Sequence, residues 1–112
     1  MSEVEEQMEK IAFTIILHAG NARSLAMEAI KLAKADQITE AADKIALAES
    51  EFTKAHHEQT TLLQREAEAR YNHLPLILIH AQDHLMMAMT VKDLAVEFID
   101  MYQKLHHLEG EK

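Results

Sequence analysis

Apolar residues in the first third of the chain recur at alternating intervals of four and three: Val4, Met8, Ile11, Ile15, His18, Ala22, Leu25, Ala29 and Leu32. This is the heptad spacing of a helix that buries one stripe. A second stripe of Ala12, Ile16, Ala19, Ala26, Ile30 and Ala33 runs beside it. The apolar face is therefore wider than one two-helix contact needs and predicts more than one neighbour. Ser2 and Glu5 have the S-x-x-E form of a capping box, which starts this helix at the N-terminus.

The segment KADQIT interrupts the pattern and offers Asp36 or Thr39 as the cap of a second helix. Ile38, Ala41, Ile45, Ala48, Phe52, Ala55, Gln59, Leu62 and Ala69 then predict helix to about Ala69 or Arg70. YNHLP breaks it, because the residue before a proline is pushed out of helix and Pro75 suits the first turn of a new one. The third helix has a stripe of Ile77, Ala81, His84, Ala88, Val91, Ala95, Phe98, Tyr102 and Leu105. A neighbouring stripe carries Leu76, His80, Asp83, Met87, Thr90, Leu94 and Met101. The tail HLEGEK is expected to fray.

Three helices of about 30 residues are rods roughly 45 Å long. Short connections fold them into an all-α, antiparallel up-down-up three-helix bundle. One subunit of this size cannot bury both apolar stripes of helices 1 and 3, so self-association into a closed dimer or trimer is expected.

Composition agrees with this. Only 2 Gly and 1 Pro interrupt 112 residues, and no linker-like stretch divides them, so residues 1–112 read as a single domain. A net charge of -8 argues against a nucleic-acid partner, whose phosphates need clustered Lys and Arg. The absence of cysteine excludes disulfides, thiolate metal sites and cysteine nucleophiles. No apolar run is long enough to cross a bilayer, and MSEVEEQMEK is the opposite of a basic signal-peptide start. The expected location is cytoplasmic.

Candidate chemistry sits in LPLILIHAQDHLMMAMT, residues 74–90, where His80, Asp83 and His84 interrupt an apolar run. At i, i+3 and i+4 they share one side of helix 3. Ionisable groups buried there would need compensation, and three readings are open. The histidines are hydrogen-bonded core or interface residues; or H-x-x-D-H holds a metal, with His56, His57 or Glu58 as a further ligand; or His80 is a nucleophile, since a neutral imidazole keeps a free lone pair near neutral pH.

LIHAQDHLM, with HAGNARSLAMEAI in helix 1 and KAHHEQTTLL in helix 2, resembles the lactose/cellobiose/chitobiose-type IIA component of the bacterial phosphoenolpyruvate-dependent sugar phosphotransferase system. The three segments stand in the family's order, and the resemblance covers nearly the whole chain. It implies a homotrimeric phosphocarrier in which His80 accepts a phosphoryl group from HPr and passes it to a cysteine of the IIB component. It also implies that Asp83 from each subunit meets at the trimer axis around a divalent cation, Mg2+. Gln82 and His84 match the polar neighbours of the active histidine and are candidate helpers. Ala55, His56, Gln59 and Thr60 match a segment expected to face helix 3. Membrane association is implied only through the IIB and IIC partners, and the sugar is not legible because a IIA component never touches it.

Under that reading Leu76, Ile79 and Met86 form a partner-docking surface, while Met87 and Met89 belong to core or trimer packing. Met87 also departs from the small residue common in the family at that position. His18 is expected to be a satisfied core histidine, the alternative being an approach to His80 from a neighbouring subunit. His56 is expected to be the more buried of His56 and His57. Gly20 and Asn21 are expected to permit a close helix contact, and Arg23 either pairs with Glu28 or Glu66 or is solvated. The alternatives in other classes are a non-catalytic helical interaction module and a metal-binding hydrolase.

Overall fold

A computed structural model describes residues 3–69 and 76–110. They form α1 (Glu3–Lys34), α2 (Ile38–Ala69) and α3 (Leu76–Gly110), with no strand among the described residues. Ser2, Arg70 and Pro75, on which the expected capping box and two helix boundaries depend, lie outside them. None of the three helices is long and apolar enough to cross a membrane.

α1 begins with Glu3, Glu5 and Glu6 and ends with Lys31 and Lys34, charges that complement the helix dipole at each end. Its two sequence stripes merge into one buried face of Met8, Ile11, Ala12, Ile15, Ala19, Ala22, Ala26, Ala29 and Ala33. α2 contributes a narrower seam of Ala41, Ala48, Ala55 and Leu62, spaced by seven. The alanines let the helix backbones approach closely, and the larger side chains concentrate where Met8, Ile11, Ile15, Leu62, Leu78 and Leu85 share one cluster.

α3 is rotated relative to its expected stripe. Leu78, Ala81, Leu85, Ala88 and Ala95 are buried, whereas Ile77, His84 and Val91 are half-buried and Phe98 and Leu105 are exposed. The expected neighbouring stripe, Leu76, His80, Asp83, Met87, Thr90, Leu94 and Met101, is exposed throughout. Apolar residues lie on both sides of this helix, so periodicity alone could not tell core from surface.

The α1–α2 turn is closed by two backbone hydrogen bonds, Gln37 N–H to the Leu32 carbonyl at 2.8 Å and Asp36 N–H to the Ala33 carbonyl at 3.0 Å. Together they make a Schellman motif, with Asp36 at φ 62° in the left-handed position usually held by glycine. Asp36 therefore ends α1 rather than starting α2. The Gln37 carbonyl accepts the Ala41 N–H at 3.0 Å, which puts Gln37 at the N-cap, and Thr39 is an exposed residue within the helix.

The expected frayed tail is instead helical to Gly110. Ile99 and Tyr102 pack against the Ala29, Ala33 and Ala41 cluster, His106 stacks on Tyr102 at 6.3 Å between ring centroids, and His106 Nε2 donates to the Ala33 carbonyl at 3.1 Å. These contacts tie the end of α3 to the α1–α2 turn.

Polar links join the helices along their length: Glu28 with Lys44 at 3.0 Å, His18 with Glu51 at 2.5 Å, Gln7 with Arg65, and Glu49 with Lys92 at 2.8 Å. Glu28 thus takes Lys44 and not Arg23, which is exposed. Gly20 has open space where a Cβ would stand, so it permits no close helix contact within this chain.

Candidate functional site

Burial of Leu78, Ala81, Leu85 and Ala88 decides where the three ionisable groups of α3 face. His80 and Asp83 are exposed and His84 is half-buried, so none is a core residue within the chain. Among the described residues no polar or charged side chain is fully buried. The anticipated burial cost therefore does not arise in a single subunit.

His80 and His84, one turn apart, meet at Nε2 to Nε2, 3.0 Å. The rings stand edge to face at 89° with centroids 4.4 Å apart. Two imidazole nitrogens at this distance need one proton between them, so with both rings neutral one carries its hydrogen on Nε2 and the other on Nδ1. One lone pair and one N–H thus face each other. His80 and Asp83 also border a concavity with Leu76, Ile77 and Ile79. Leu76 is 80% exposed and Ile79 49%, leaving an apolar rim open beside the imidazole, whereas exposed Met86 lies on the α2 side of the helix.

Gln82 is set apart from this pair. Two residues on from His80, it projects about 200° further round the helix, and its Oε1 accepts a hydrogen bond from Gln59 Nε2 of α2 at 2.8 Å. Gln59 also borders a groove between α2 and α3 with Phe52, His56, Leu85, Met86 and Met89. The matched α2 segment does reach α3 at Gln59 and His56, but His56 and His57 are both exposed, contrary to the expectation that His56 is partly buried. Successive residues on an outer helix face can both reach solvent when the seam is as narrow as Ala55 and Leu62.

His18 is a satisfied histidine: its Nδ1–H donates to Glu51 Oε2, and both side chains are 18% exposed. That hydrogen bond is the main reason the Glu51 carboxyl titrates below its ordinary value. Partial burial works against the shift, while Asn21 and Lys54 add to it. Lys92, held by Glu49 and Asp93, is raised above the usual lysine value by those two hydrogen bonds. Glu51 and Glu49 carry no signal in the sequence, and Gln59, expected to face helix 3, has no visible match to Gln82 there, since helical periodicity orders residues within a helix and does not pair them across helices.

Among the described residues no three His, Cys, Asp or Glu side chains gather to hold a metal within one chain. His56, His57 and Glu58 do not join His80 and His84 in such a group.

Residues 10–103 match the family model described as PTS system, lactose/cellobiose specific IIA subunit. The chain belongs to this IIA family. It is 51% identical over 107 residues to the lichenan-specific phosphotransferase enzyme IIA component of Bacillus subtilis (strain 168), covering 96% of this chain and 97% of that one. It is 35% identical over 100 residues to the N,N'-diacetylchitobiose-specific EIIA component of Escherichia coli (strain K12), covering 89% and 86%. The crystal structure of the cellobiose-specific enzyme IIA from Bacillus anthracis is similar, with a TM-score of 0.86 at 48% identity, covering 96% of this chain and 94% of that one. The solution structure of the chitobiose IIA in complex with HPr, from Escherichia coli, gives a TM-score of 0.79 at 33% identity, covering 88% and 96%. The IIA component described here is thus a phosphotransferase component of a lactose/cellobiose-type sugar system.

Proposed function

We propose that this IIA component carries a phosphoryl group on His80 Nε2, received from HPr and passed to a cysteine of the IIB component. The observation that carries the reading is the exposed His80 imidazole whose Nε2 lies 3.0 Å from His84 Nε2. With the shared proton on His84, His80 holds its own proton on Nδ1 and offers the Nε2 lone pair. That lone pair forms a bond to phosphorus as the donor's bond to phosphorus breaks, and the donor departs with the electron pair. The His84 N–H, no longer accepted by His80, then points toward the phosphoryl oxygens. Transfer onward reverses these roles as the thiolate sulfur of the IIB cysteine attacks phosphorus and His80 recovers its lone pair.

Phosphoryl transfer needs alignment more than covalent help, and a nucleophile on a helix anchored by Leu78, Ala81 and Leu85 meets that need. Exposed Leu76, Ile79 and Met86 form the docking rim for both partners, Met adapting to more than one shape. HPr as donor is supported by the similar IIA protein solved in complex with HPr. Gln82 serves the site from the α2 side, where it holds Gln59.

The assembly in this reading is a homotrimer of up-down-up subunits. The subunit topology is supported by pairings that run in opposite order along α1 and α2: Glu28 with Lys44, His18 with Glu51, and Gln7 with Arg65. The trimer is supported by the row of Leu76, Met87, Leu94, Met101 and Leu108 on α3, each more than half exposed in one chain. Asp83 lies within this exposed row. One carboxylate holds no ion, but three on a shared axis would repel until a hard cation such as Mg2+ joined them, and oxygen donors suit that ion. The cation's contribution would be cohesion between subunits. The whole chain acts as one cytoplasmic unit, reaching the membrane only through its partners.

A non-catalytic helical interaction module would explain the exposed rows alone and gives no role to the histidine pair. Incubation with phosphoenolpyruvate, enzyme I and HPr separates the two readings: acid-labile, base-stable phosphate on the chain is expected, and none would leave only the module.

A further inference from the structure

We propose that Gln59 of α2 is a positioning residue for phosphoryl transfer, acting through Gln82 on the turn of α3 that carries His80. The inference rests on His80 being the phosphoryl acceptor, and adds a residue that touches neither phosphate nor nucleophile.

The argument starts from how α3 is held near its described start at Leu76. Its core side is apolar, and Leu78, Ala81 and Leu85 join a cluster supplied mainly by α1. Apolar packing of this kind resists separation of the helices, but it is non-directional and supplies no hydrogen bond that sets the angle of a helix about its own axis. Toward α2 the helices part, leaving the groove bordered by Phe52, His56, Leu85, Met86 and Met89. Direct polar links between α2 and α3 include Lys92 with Glu49, at 2.8 Å, and Gln59 with Gln82, at 2.8 Å. Lys92 is twelve residues along the helix from His80, about 18 Å. Gln82 is two residues away and on the other side of the helix, where a tether has the most leverage over rotation. The Gln59 amide thereby sets the direction in which His80 leaves the helix. It also fixes the amide of Gln82, whose Oε1 is occupied and whose Nε2–H groups face away from Gln59.

The test compares Gln59→Leu, which keeps the bulk and removes the hydrogen bond, with Gln59→Glu, whose carboxylate accepts from Gln82 Nε2–H once that amide turns over and so restores a bridge. Transfer from phospho-HPr is followed over a range of HPr concentrations, with thermal melts alongside. Gln59→Leu is expected to lower kcat about tenfold, as expected for misplaced reacting atoms. KM for HPr should stay within about twofold, because Leu76 and Ile79, the part of the docking rim beside His80, are untouched. Gln59→Glu recovers most of kcat. A purely structural tether would lower the melting temperature and leave kcat of the folded protein unchanged, and that result would overturn the proposal. Equal impairment in both variants would overturn it too. If Gln59→Leu does not fold, hydrogen exchange of the Gln59 side-chain amide in the unmodified protein decides. Exchange slower than that of exposed Gln103 is expected, and equal rates contradict the tether. Failure of the unmodified protein to accept phosphate removes the phosphocarrier reading and this proposal together, whereas normal transfer with an unaltered Gln59→Leu kcat removes Gln59 alone.

Discussion

His80 and His84 face each other nitrogen to nitrogen at 3.0 Å, and the pair can hold only one hydrogen in that gap while both rings are neutral. In the proposed relay, the same proton that leaves His80 with a lone pair would become a donor to the phosphoryl group on His80. His84→Ala should therefore still accept phosphate but lose it faster. A hydrogen bond to a charged group contributes roughly 1.5–3 kcal/mol, so hydrolysis of the phosphohistidine should quicken about tenfold or more. Gln82→Ala, on the far side of the helix, should shorten the lifetime less. Lifetimes of isolated phosphoprotein at neutral pH measure both, and unchanged values would dismiss His84 as a helper.

The His18–Glu51 hydrogen bond makes the α1–α2 contact sensitive to acid. Glu51 titrates below its ordinary 4.5 in the folded chain, so between the two values the unfolded chain binds more protons. Its contribution is complete above about pH 4.5 and is lost as pH falls through the lower folded value. Urea midpoints measured from pH 6 downward should fall more steeply in the native protein than in Glu51→Gln. At neutral pH that substitution should cost about 1 kcal/mol, small because the pair is near the surface. Parallel acid limbs would show that Glu51 does not carry this dependence.

Sequence periodicity located the three helices and nearly all of the α1 and α2 core, because the apolar residues exposed on these helices, such as Phe13, Leu17 and Leu47, are too few to form a competing stripe. It misjudged α3 by a rotation. Leu76, Met87, Leu94 and Met101 are as apolar as Leu78 and Leu85, and an apolar stripe left exposed in one chain looks the same in sequence as a stripe that enters the core. The chemistry of His80, Asp83 and His84 was legible as three groups on one side of a helix. What spacing could not supply was the division of labour around them: the Nε2 contact between the histidines, the Gln59 link that draws Gln82 away, and the exposure of His56. Each depends on the rotation of α3 or on a partner from α2. The expected fraying of HLEGEK failed because Tyr102 and His106, just ahead of it, anchor the helix end to Ala33.

Asp36 tests the turn. Its φ of 62° costs an L-residue energy that glycine avoids, partly offset by the extra chain entropy of glycine when unfolded. Asp36→Gly should raise stability by about 0.5 kcal/mol, read as a shifted denaturant midpoint. A loss of stability would mean that the Asp36 side chain contributes more than its backbone position costs.

The exposed row on α3 predicts assembly. Leu94→Glu would place three like charges within the proposed interface and should yield monomers by sedimentation, while native protein is expected to sediment as a trimer whose melting temperature rises with Mg2+. Asp83→Leu should abolish the Mg2+ dependence and remodel the trimer. A native monomer, or an identical Mg2+ response in Asp83→Leu, would contradict this arrangement.

The central claim is that phosphate resides on His80. Phosphorylation by radiolabelled phosphoenolpyruvate with enzyme I and HPr, applied to native protein, His80→Ala and His84→Ala with folding checked by circular dichroism, tests it most directly. Label is expected on the native protein and on His84→Ala, and none on His80→Ala. Label persisting on folded His80→Ala would contradict the account.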